Sequence, residues 1–284
     1  MTIKSLSHSS LTDNLFYRSM LAGNTAHDPG PTPPAVLSNA KVWLDAADAT
    51  TITESGGAVS QWNNKGTLGN FTQATSALQP TTGTQTINGR NVLDFNGDTL
   101  VSSDAASSFQ FMNDGTTFLI ATVIDYGPAA DSYNSTIATL DGSSSNTGFI
   151  LSNDNRTSIG RTNRLAIIVF GSANPGNVSV LLENDNYYSA GDFIFSSIID
   201  PDNGTVANRA LYWTNATAGT VFNSRTGGVN AAAPLFTMEI GNKYYGGYSL
   251  QAQIGEIIIL SGSDATEANR SDIVNYLNSK WAIY

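Results

Sequence analysis

The sequence is dominated by short runs of β-branched and aromatic residues that alternate with clusters of Gly, Asn, Asp, Pro and Ser. Runs of this kind, bounded by turn residues, are typical of β-strands. Several, such as IIIL at 257–260, do not alternate between apolar and polar residues, so both faces of those strands are expected to be covered. The predicted strands lie at 41–45, 92–95, 117–124, 165–170, 178–182, 193–199, 209–213, 236–240 and 253–260. Because no helices are interleaved, the pattern predicts an all-β fold: a two-sheet antiparallel sandwich.

One amphipathic helix is predicted at the C-terminus, in the segment that begins with SGSDATEANR at 261–270. Asp264 is expected to cap it, with Glu267 three residues later as in a capping box. Its apolar stripe consists of Ile273, Tyr276, Leu277 and Trp281. We expect this stripe to pack against the sheet as a structural closure.

The charge of the chain excludes several classes of partner. The formal net charge is −10, and the 13 Lys and Arg residues are scattered rather than clustered, so a nucleic-acid partner is not expected. No segment approaches the ~20 apolar residues of a membrane span, and the first residues lack the apolar run of a signal peptide. Assembly in a cytoplasm without membrane insertion is therefore expected. The absence of cysteine excludes disulfides and thiolate zinc sites.

A proline-rich segment, HDPGPTPPAV at 27–36, separates a polar N-terminal region from the predicted strands. Repeated prolines fix φ and favour a semi-rigid polyproline II spacer. The predicted organisation is an anchoring arm at 1–26, the spacer at 27–36 and the sandwich at 37–284. The residues of the arm expected to contact a partner are Leu6, Leu11, Leu15, Phe16, Tyr17, Met20 and Leu21.

The position of the histidines restricts catalysis. His8 and His27 both precede the predicted sandwich, which therefore has no Ser–His pair and no imidazole zinc site. A retaining glycosidase needs two carboxyl groups about 5 Å apart. None of the glutamates at 54, 183, 239, 256 and 267 has an acidic neighbour two or four positions along a predicted strand. The sequence thus predicts a protein that is not an enzyme, with an acid pair formed across strands left as an alternative.

Two tyrosine clusters are candidates for binding sugars. Tyr187 and Tyr188 follow NDN at 184–186, and Tyr244 and Tyr245 follow Asn242 and Lys243. Tyrosine rings can stack on sugar faces while Asn hydrogen-bonds hydroxyl groups, and turn-rich segments are where such ligands bind. The alternative is that one tyrosine of each pair points into the core, because side chains alternate along a strand.

The segment DPDNG at 200–204 is predicted to be a hairpin turn, since these residues favour turn backbone conformations. Asp200, Asp202 and Asn203 also place oxygens at spacings used by calcium loops, so calcium binding there is a second hypothesis. SNDN at 152–155 offers similar oxygens. No other cofactor is predicted.

Three parts of the chain resemble the concanavalin A-like lectin/glucanase superfamily, in its laminin-G-like phage and bacterial branch. They are VWLDAAD at 42–48 with VSQWNNKG at 59–66, INGRNVLDFNG at 87–97, and IGEIIIL at 254–260 with YLNSKW at 276–281. The resemblance implies a jelly-roll of two antiparallel sheets. Since this fold hosts lectins, glycanases, adhesins and inert spacers, it implies function less closely.

The N-terminal arm more loosely resembles the anchoring arms of phage virion proteins. This implies a bacteriophage structural protein located in the virion, as a capsid decoration, head fibre or tail-associated adhesin. The expected partners are other virion proteins, through residues 1–26, and host-surface glycans, with the chain present in many copies or as a homo-oligomer. The alternatives are an extracellular bacterial carbohydrate-binding module and, less favoured, a glycan hydrolase.

Overall fold

The described part of the chain forms eighteen β-strands and one α-helix. The computed structural model describes residues 30–127, 133–139, 147–154, 164–170, 178–182, 191–219, 221–224, 229–241 and 250–284. The chain divides into two units, Met1–Thr32 and Pro33–Tyr284, and all of these strands and the helix belong to the second. The predicted arm and its seven anchoring residues lie outside the described residues.

The strands are β1 (Val42–Asp45), β2 (Ile52–Ser55), β3 (Ala58–Trp62), β4 (Phe71–Thr72), β5 (Thr81–Ile87), β6 (Arg90–Asn96), β7 (Leu100–Ser102), β8 (Phe118–Tyr126), β9 (Tyr133–Ala138), β10 (Phe149–Asp154), β11 (Arg164–Val169), β12 (Val178–Leu182), β13 (Phe193–Ile199), β14 (Ala210–Thr214), β15 (Thr217–Ala218), β16 (Val221–Ser224), β17 (Glu239–Ile240) and β18 (Gln251–Ser261). The helix is α1 (Glu267–Trp281). Short 3-10 helices are Ala35–Asn39, Ala49–Thr51, Ser76–Leu78, Ala106–Met112, Val206–Asn208 and Gly262–Asp264.

The first sheet is built around β18, the last strand of the chain. One edge of β18 pairs with β6 and then with β1, and its other edge pairs with β8. β13, β14 and β15 follow β8 in order, and every pairing is antiparallel. The first strand of the sandwich and its last strand are thus hydrogen-bonded neighbours.

The second sheet runs in the order β2, β3, β4, β7, β17, β9, β10, β11, β12 and β16, again with antiparallel pairings. β5 connects the two sheets, because it pairs with β6 of the first and touches β3 of the second. Apolar side chains from both sheets form one buried core, which includes Phe95, Ile120 and Phe193 of the first sheet and Phe71 and Leu151 of the second. The predicted all-β, two-sheet antiparallel sandwich is confirmed.

The outer face of the first sheet is partly covered by α1. Ile273, Tyr276, Leu277 and Trp281 are all buried there, together with outward-facing side chains of β8 and β18 such as Ala121. The predicted stripe and its packing are confirmed. At about 25 cal/mol per Å² of buried apolar area, such a stripe is a major source of helix stability, because a helix of this length is marginal alone.

Two local predictions were wrong. The cap of α1 is Thr266, whose hydroxyl oxygen accepts a hydrogen bond from the backbone N–H of Asn269 at 3.2 Å, whereas the Asp264 carboxylate accepts one from the Asn39 amide. The helix begins later than predicted because Gly262–Asp264 is a separate 3-10 turn. The strand predicted at 236–240 is only Glu239–Ile240, since residues 231–238 form an irregular segment.

None of the helices in the described residues is long and apolar enough to cross a membrane.

Candidate functional site

The residues predicted to bind sugars, namely Tyr187, Tyr188, Asn242, Tyr244 and Tyr245, lie outside the described residues. The strands that come after the two clusters are described. β13 begins at Phe193, opposite Ile124 of β8, and the second residue of β18 is Ala252, opposite Tyr126 of β8. Both strands therefore begin beside the same end of β8, so the two predicted clusters precede strands that start at one end of the first sheet.

At this end, the outer face of the first sheet is polar. Gln253 of β18 lies between Asp94 of β6 and Asp125 of β8 in the antiparallel register, and its amide donates a hydrogen bond to the Asp94 carboxylate at 3.3 Å. One step nearer the end, the Gln251 amide lies 3.4 Å from the Asn96 side-chain oxygen, and both residues are exposed. We call these five residues the polar row. Side chains alternate along a strand, so the polar row occupies the same face as α1, beyond the area that the helix covers.

A second carboxylate lies beside Asp125. Phe193 pairs with Ile124, so one further antiparallel step places Asp192 opposite Asp125. Burial raises the pKa of Asp125, and the negative charge of Asp192 raises it further; burial also raises the pKa of Asp192. Within the described part of the chain, the ion pairs involve other residues, so neither carboxylate is neutralised by a Lys or Arg there. The pair can accept hydrogen bonds from hydroxyl groups and, in its protonated form, donate one.

This pair was not among the residues that the sequence predicted. The two aspartates lie 67 positions apart and meet only because β8 and β13 are neighbours. The available signal was that Asp125 immediately follows one predicted strand and Asp192 immediately precedes another.

A different cluster of charges is enclosed beneath α1. Glu256 of β18 is fully buried, and its two carboxylate oxygens accept hydrogen bonds from the indole N–H groups of Trp43 and Trp281, both at 2.8 Å. The Tyr276 hydroxyl and the Lys280 ammonium complete the shell at 3.2 and 2.7 Å. Four donors satisfy the acceptor positions of this carboxylate, and no exposed surface remains for a substrate. This arrangement fits a structural role for Glu256 and does not fit a role as a glycosidase acid.

Burial raises the pKa of Glu256, as does the neighbouring negative charge of Asp45, and together these outweigh the opposing effect of Lys280 and the Trp281 hydrogen bond. Asp45 lies directly opposite Glu256 in the pairing of β1 with β18. Lys65 contacts the carboxylates of Asp45 and Asp48, at 3.2 and 3.1 Å, so two lysines and three carboxylates alternate in this cluster.

The segment containing Asp200, Asp202 and Asn203 forms the turn between β13 and β14, as the sequence predicted. The Asn203 amide donates to the Asp200 carboxylate at 2.8 Å, and the Asn203 side-chain oxygen accepts from the Thr205 backbone at 2.9 Å. These bonds use the oxygens within the turn itself. Within the described ranges, no group of three or more acidic or histidine side chains is placed to hold a metal ion, and calcium binding remains a hypothesis.

The other oxygen-rich segment, 152–155, is not a loop where the structure describes it. Residues up to Asp154 belong to β10, and Ser152 and Asn153 are buried within the sheet. The hypothesis that Ser152 and Asn153 belong to a cation-binding loop is therefore wrong.

The comparisons with known proteins concern the fold. No protein-family model matches the sequence, and no curated protein matches it. Among solved structures, Trypanosoma rangeli sialidase in complex with sialic acid is similar over 88% of this chain and 35% of the sialidase, with a TM-score of 0.51 and 13% identity. The chain thus spans about a third of the length of that enzyme.

Two further matches have lower TM-scores. The botulinum neurotoxin serotype D/C binding domain matches 86% of this chain and 53% of its own, with a TM-score of 0.48 and 10% identity. A Ruminococcus gnavus sialidase CBM40 bound to α2,3-sialyllactose matches 57% of this chain and 82% of its own, with a TM-score of 0.39 and 9% identity. At these levels of identity, the likeness to the sialidase supports the β-sandwich fold alone.

Proposed function

We propose that the chain is a carbohydrate-binding β-sandwich, carried by a bacteriophage particle, and that it binds glycans at the end of the first sheet marked by the polar row. The observation that carries the proposal is the polar row itself: exposed and half-buried Asp, Asn and Gln side chains on adjacent strands. They lie at the end where the strands after both tyrosine clusters begin. The fold likeness to a sialidase crystallised with sialic acid supports it.

The chemistry of the polar row suits sugar hydroxyl groups. Carboxylates accept hydrogen bonds from vicinal hydroxyls, and the amides of Gln251 and Gln253 can both donate and accept. Tyrosines in adjoining segments would supply the stacking surface that sugar rings need. Because Asp125 and Asp192 are not neutralised by a cation in the described residues, the site should favour neutral glycans over sialylated ones.

Glycan binding can be tested by screening the full-length chain against an array of neutral, sialylated and amino-sugar glycans, followed by calorimetry on the best ligand. Loss of one good hydrogen bond to a charged group costs about 1.5–3 kcal/mol, so we expect Asp94→Ala or Gln253→Ala to weaken binding by about tenfold or more. The matched control is Asn275→Ala, on the exposed face of α1. An array without a ligand, or unchanged affinity in both variants, would contradict the proposal.

A glycan hydrolase is the second candidate, and the Asp125–Asp192 pair favours it. Two neighbouring carboxyls with raised pKa values, both through burial and one also through the charge of its partner, resemble the acid and base of a glycosidase. Release of reducing sugar that disappears in both Asp125→Asn and Asp192→Asn would establish this activity. If the chain only binds glycans, as we propose, it should not hydrolyse the glycans that it binds on the array.

The phage assignment rests on the sequence. The arm at 1–26 and the proline-rich spacer resemble an anchor that holds a displayed domain away from an assembly, with other virion proteins as partners and many copies per particle. The alternative is an extracellular bacterial carbohydrate-binding module. A chain that starts at Ala35 should fail to join the particle; if it still assembles, the arm is not the anchor.

A further inference from the structure

Lys280, in the last turn of α1, lies between two buried carboxylates. Its ammonium nitrogen is 2.6 Å from Oδ1 of Asp45 and 2.7 Å from Oε2 of Glu256. The side chains of Lys280, Asp45 and Glu256 are exposed by only 10%, 5% and 0%. A lysine and two carboxylates that are held in contact and excluded from water are the components of an amide-forming reaction.

The surroundings of this group are aromatic and preorganised. The Lys280 nitrogen lies 5.5 Å from the centre of the Trp281 ring and 5.7 Å from that of Tyr276, and Trp43 binds the other oxygen of Glu256. Enclosure by these rings holds the Lys280 ammonium beside both carboxylates. It also leaves few water molecules to compete with the amine.

We propose that Lys280 and Asp45 become joined by an intramolecular isopeptide bond between Nζ and Cγ. The C–N bond forms as one Asp45 carboxylate oxygen leaves. Of the three protons on the Lys280 ammonium, one stays on the amide nitrogen and two leave with that oxygen as water. No oxidant, reductant or co-reactant is needed, so atoms and charge balance: one ammonium and one carboxylate give one neutral amide and one water molecule.

Two neighbours fit this step. Glu256 accepts a proton from Nζ and delivers it to the departing oxygen of Asp45, twice in succession, and it ends ionised as it began. Its position directly opposite Asp45 across the β1–β18 ladder allows this transfer. Lys65, at 3.2 Å from the other Asp45 oxygen, stabilises the negative charge that develops on that oxygen in the tetrahedral intermediate. Holding the reacting groups in contact replaces a bimolecular encounter by an intramolecular one.

The bond would connect the first strand of the sandwich to its last helix, across 235 residue positions. Almost the whole sandwich would then lie inside one covalent loop. This consequence is independent of glycan binding, and it holds whether or not the proposed function is right.

The test is the intact mass of the full-length chain, denatured after the folded protein has been kept until its mass no longer changes. We expect a mass lower than the sequence mass by one water molecule. After digestion, a branched peptide should join the segment with Asp45 to the segment with Lys280. Lys280→Arg should show its full sequence mass, because a guanidinium does not form this amide, and so should Glu256→Gln, which cannot carry the protons.

The matched control is Lys41→Arg, next to β1 and outside the cluster, which should lose one water molecule like the wild type. Near-ultraviolet circular dichroism shows whether Lys280→Arg and Glu256→Gln are folded. A wild-type mass equal to the sequence mass would overturn the proposal, and the contacts of Lys280 would then be ordinary ion pairs. A branched peptide through Lys65 or Glu256, or a water loss without any branched peptide, would also overturn it.

Discussion

Gly255 is the position where the fit between the first sheet and α1 can be tested most directly. A Cβ atom added at Gly255 would lie 2.7 Å from Cη2 of Trp281 and 3.0 Å from Cζ2 and Cζ3. The ring cannot move away freely, because it is fully buried and its N–H is bonded to Glu256 at 2.8 Å. Relieving the overlap requires a shift of several tenths of an ångström. Overpacking of this kind costs about 1–3 kcal/mol, so Gly255→Ala should lower the free energy of unfolding by that amount.

The assay is guanidinium unfolding followed by circular dichroism, with Gly204→Ala as the matched control. A Cβ at Gly204 meets no atom within 4 Å, and its φ is not positive, so that variant should stay within about 0.5 kcal/mol of the wild type. Phe lacks the outer ring of Trp, so Trp281→Phe should remove most of the penalty of Gly255→Ala in a double-mutant cycle, with a coupling of about 1 kcal/mol. Equal midpoints for Gly255→Ala and Gly204→Ala, or zero coupling, would refute the steric argument.

Three further outcomes are expected. Thr266→Ala should lower the free energy of unfolding by about 1 kcal/mol through loss of the α1 cap, and Asp264→Ala should lower it by less. If a denaturant titration shows the larger loss for Asp264→Ala, the cap assignment is wrong. The pKa of Asp125 is raised in the folded state, so ionised Asp125 destabilises the protein above that pKa, and this cost disappears below the ordinary aspartate pKa. We therefore expect Asp125→Asn to raise Tm at pH 7. This increase in Tm should disappear as the solution is acidified. If N–H groups of the turn satisfy its oxygens, EDTA should leave Tm unchanged, whereas a calcium-dependent rise in Tm that Asp202→Asn abolishes would establish a calcium site.

Strands rich in apolar, β-branched residues could be predicted from the sequence, whereas strands that lack such residues could not. Phe193–Ile199 and Gln251–Ser261 are almost wholly buried, so they consist largely of the apolar residues by which strands are predicted. By contrast, Ile52–Ser55 and Thr81–Ile87 are largely exposed at the margins of the sheets. Their side chains contact water, so backbone pairing rather than an apolar pattern defines these strands.

The candidate site was less predictable than the fold, for a topological reason. Asp94, Asp125 and Gln253 belong to three strands far apart in sequence, and only the register of β18 with β6 and β8 brings them into a row. The helix cap shows the same limit at short range. Asp264 and Thr266 both have the chemistry of a cap, and the choice between them depends on the 3-10 turn that precedes α1.

The central place of β18 in the first sheet has a consequence for the timing of folding during synthesis. β1, β6 and β8 all hydrogen-bond to Gln251–Ser261, a strand that the ribosome produces long after them. Until that strand emerges, the earlier strands expose unpaired backbone edges and the apolar side chains that form the core of the folded sandwich. Both favour aggregation. The nascent chain should therefore depend on chaperones until β18 leaves the ribosome, and truncations that remove β18 should be degraded rather than accumulate as partly folded fragments.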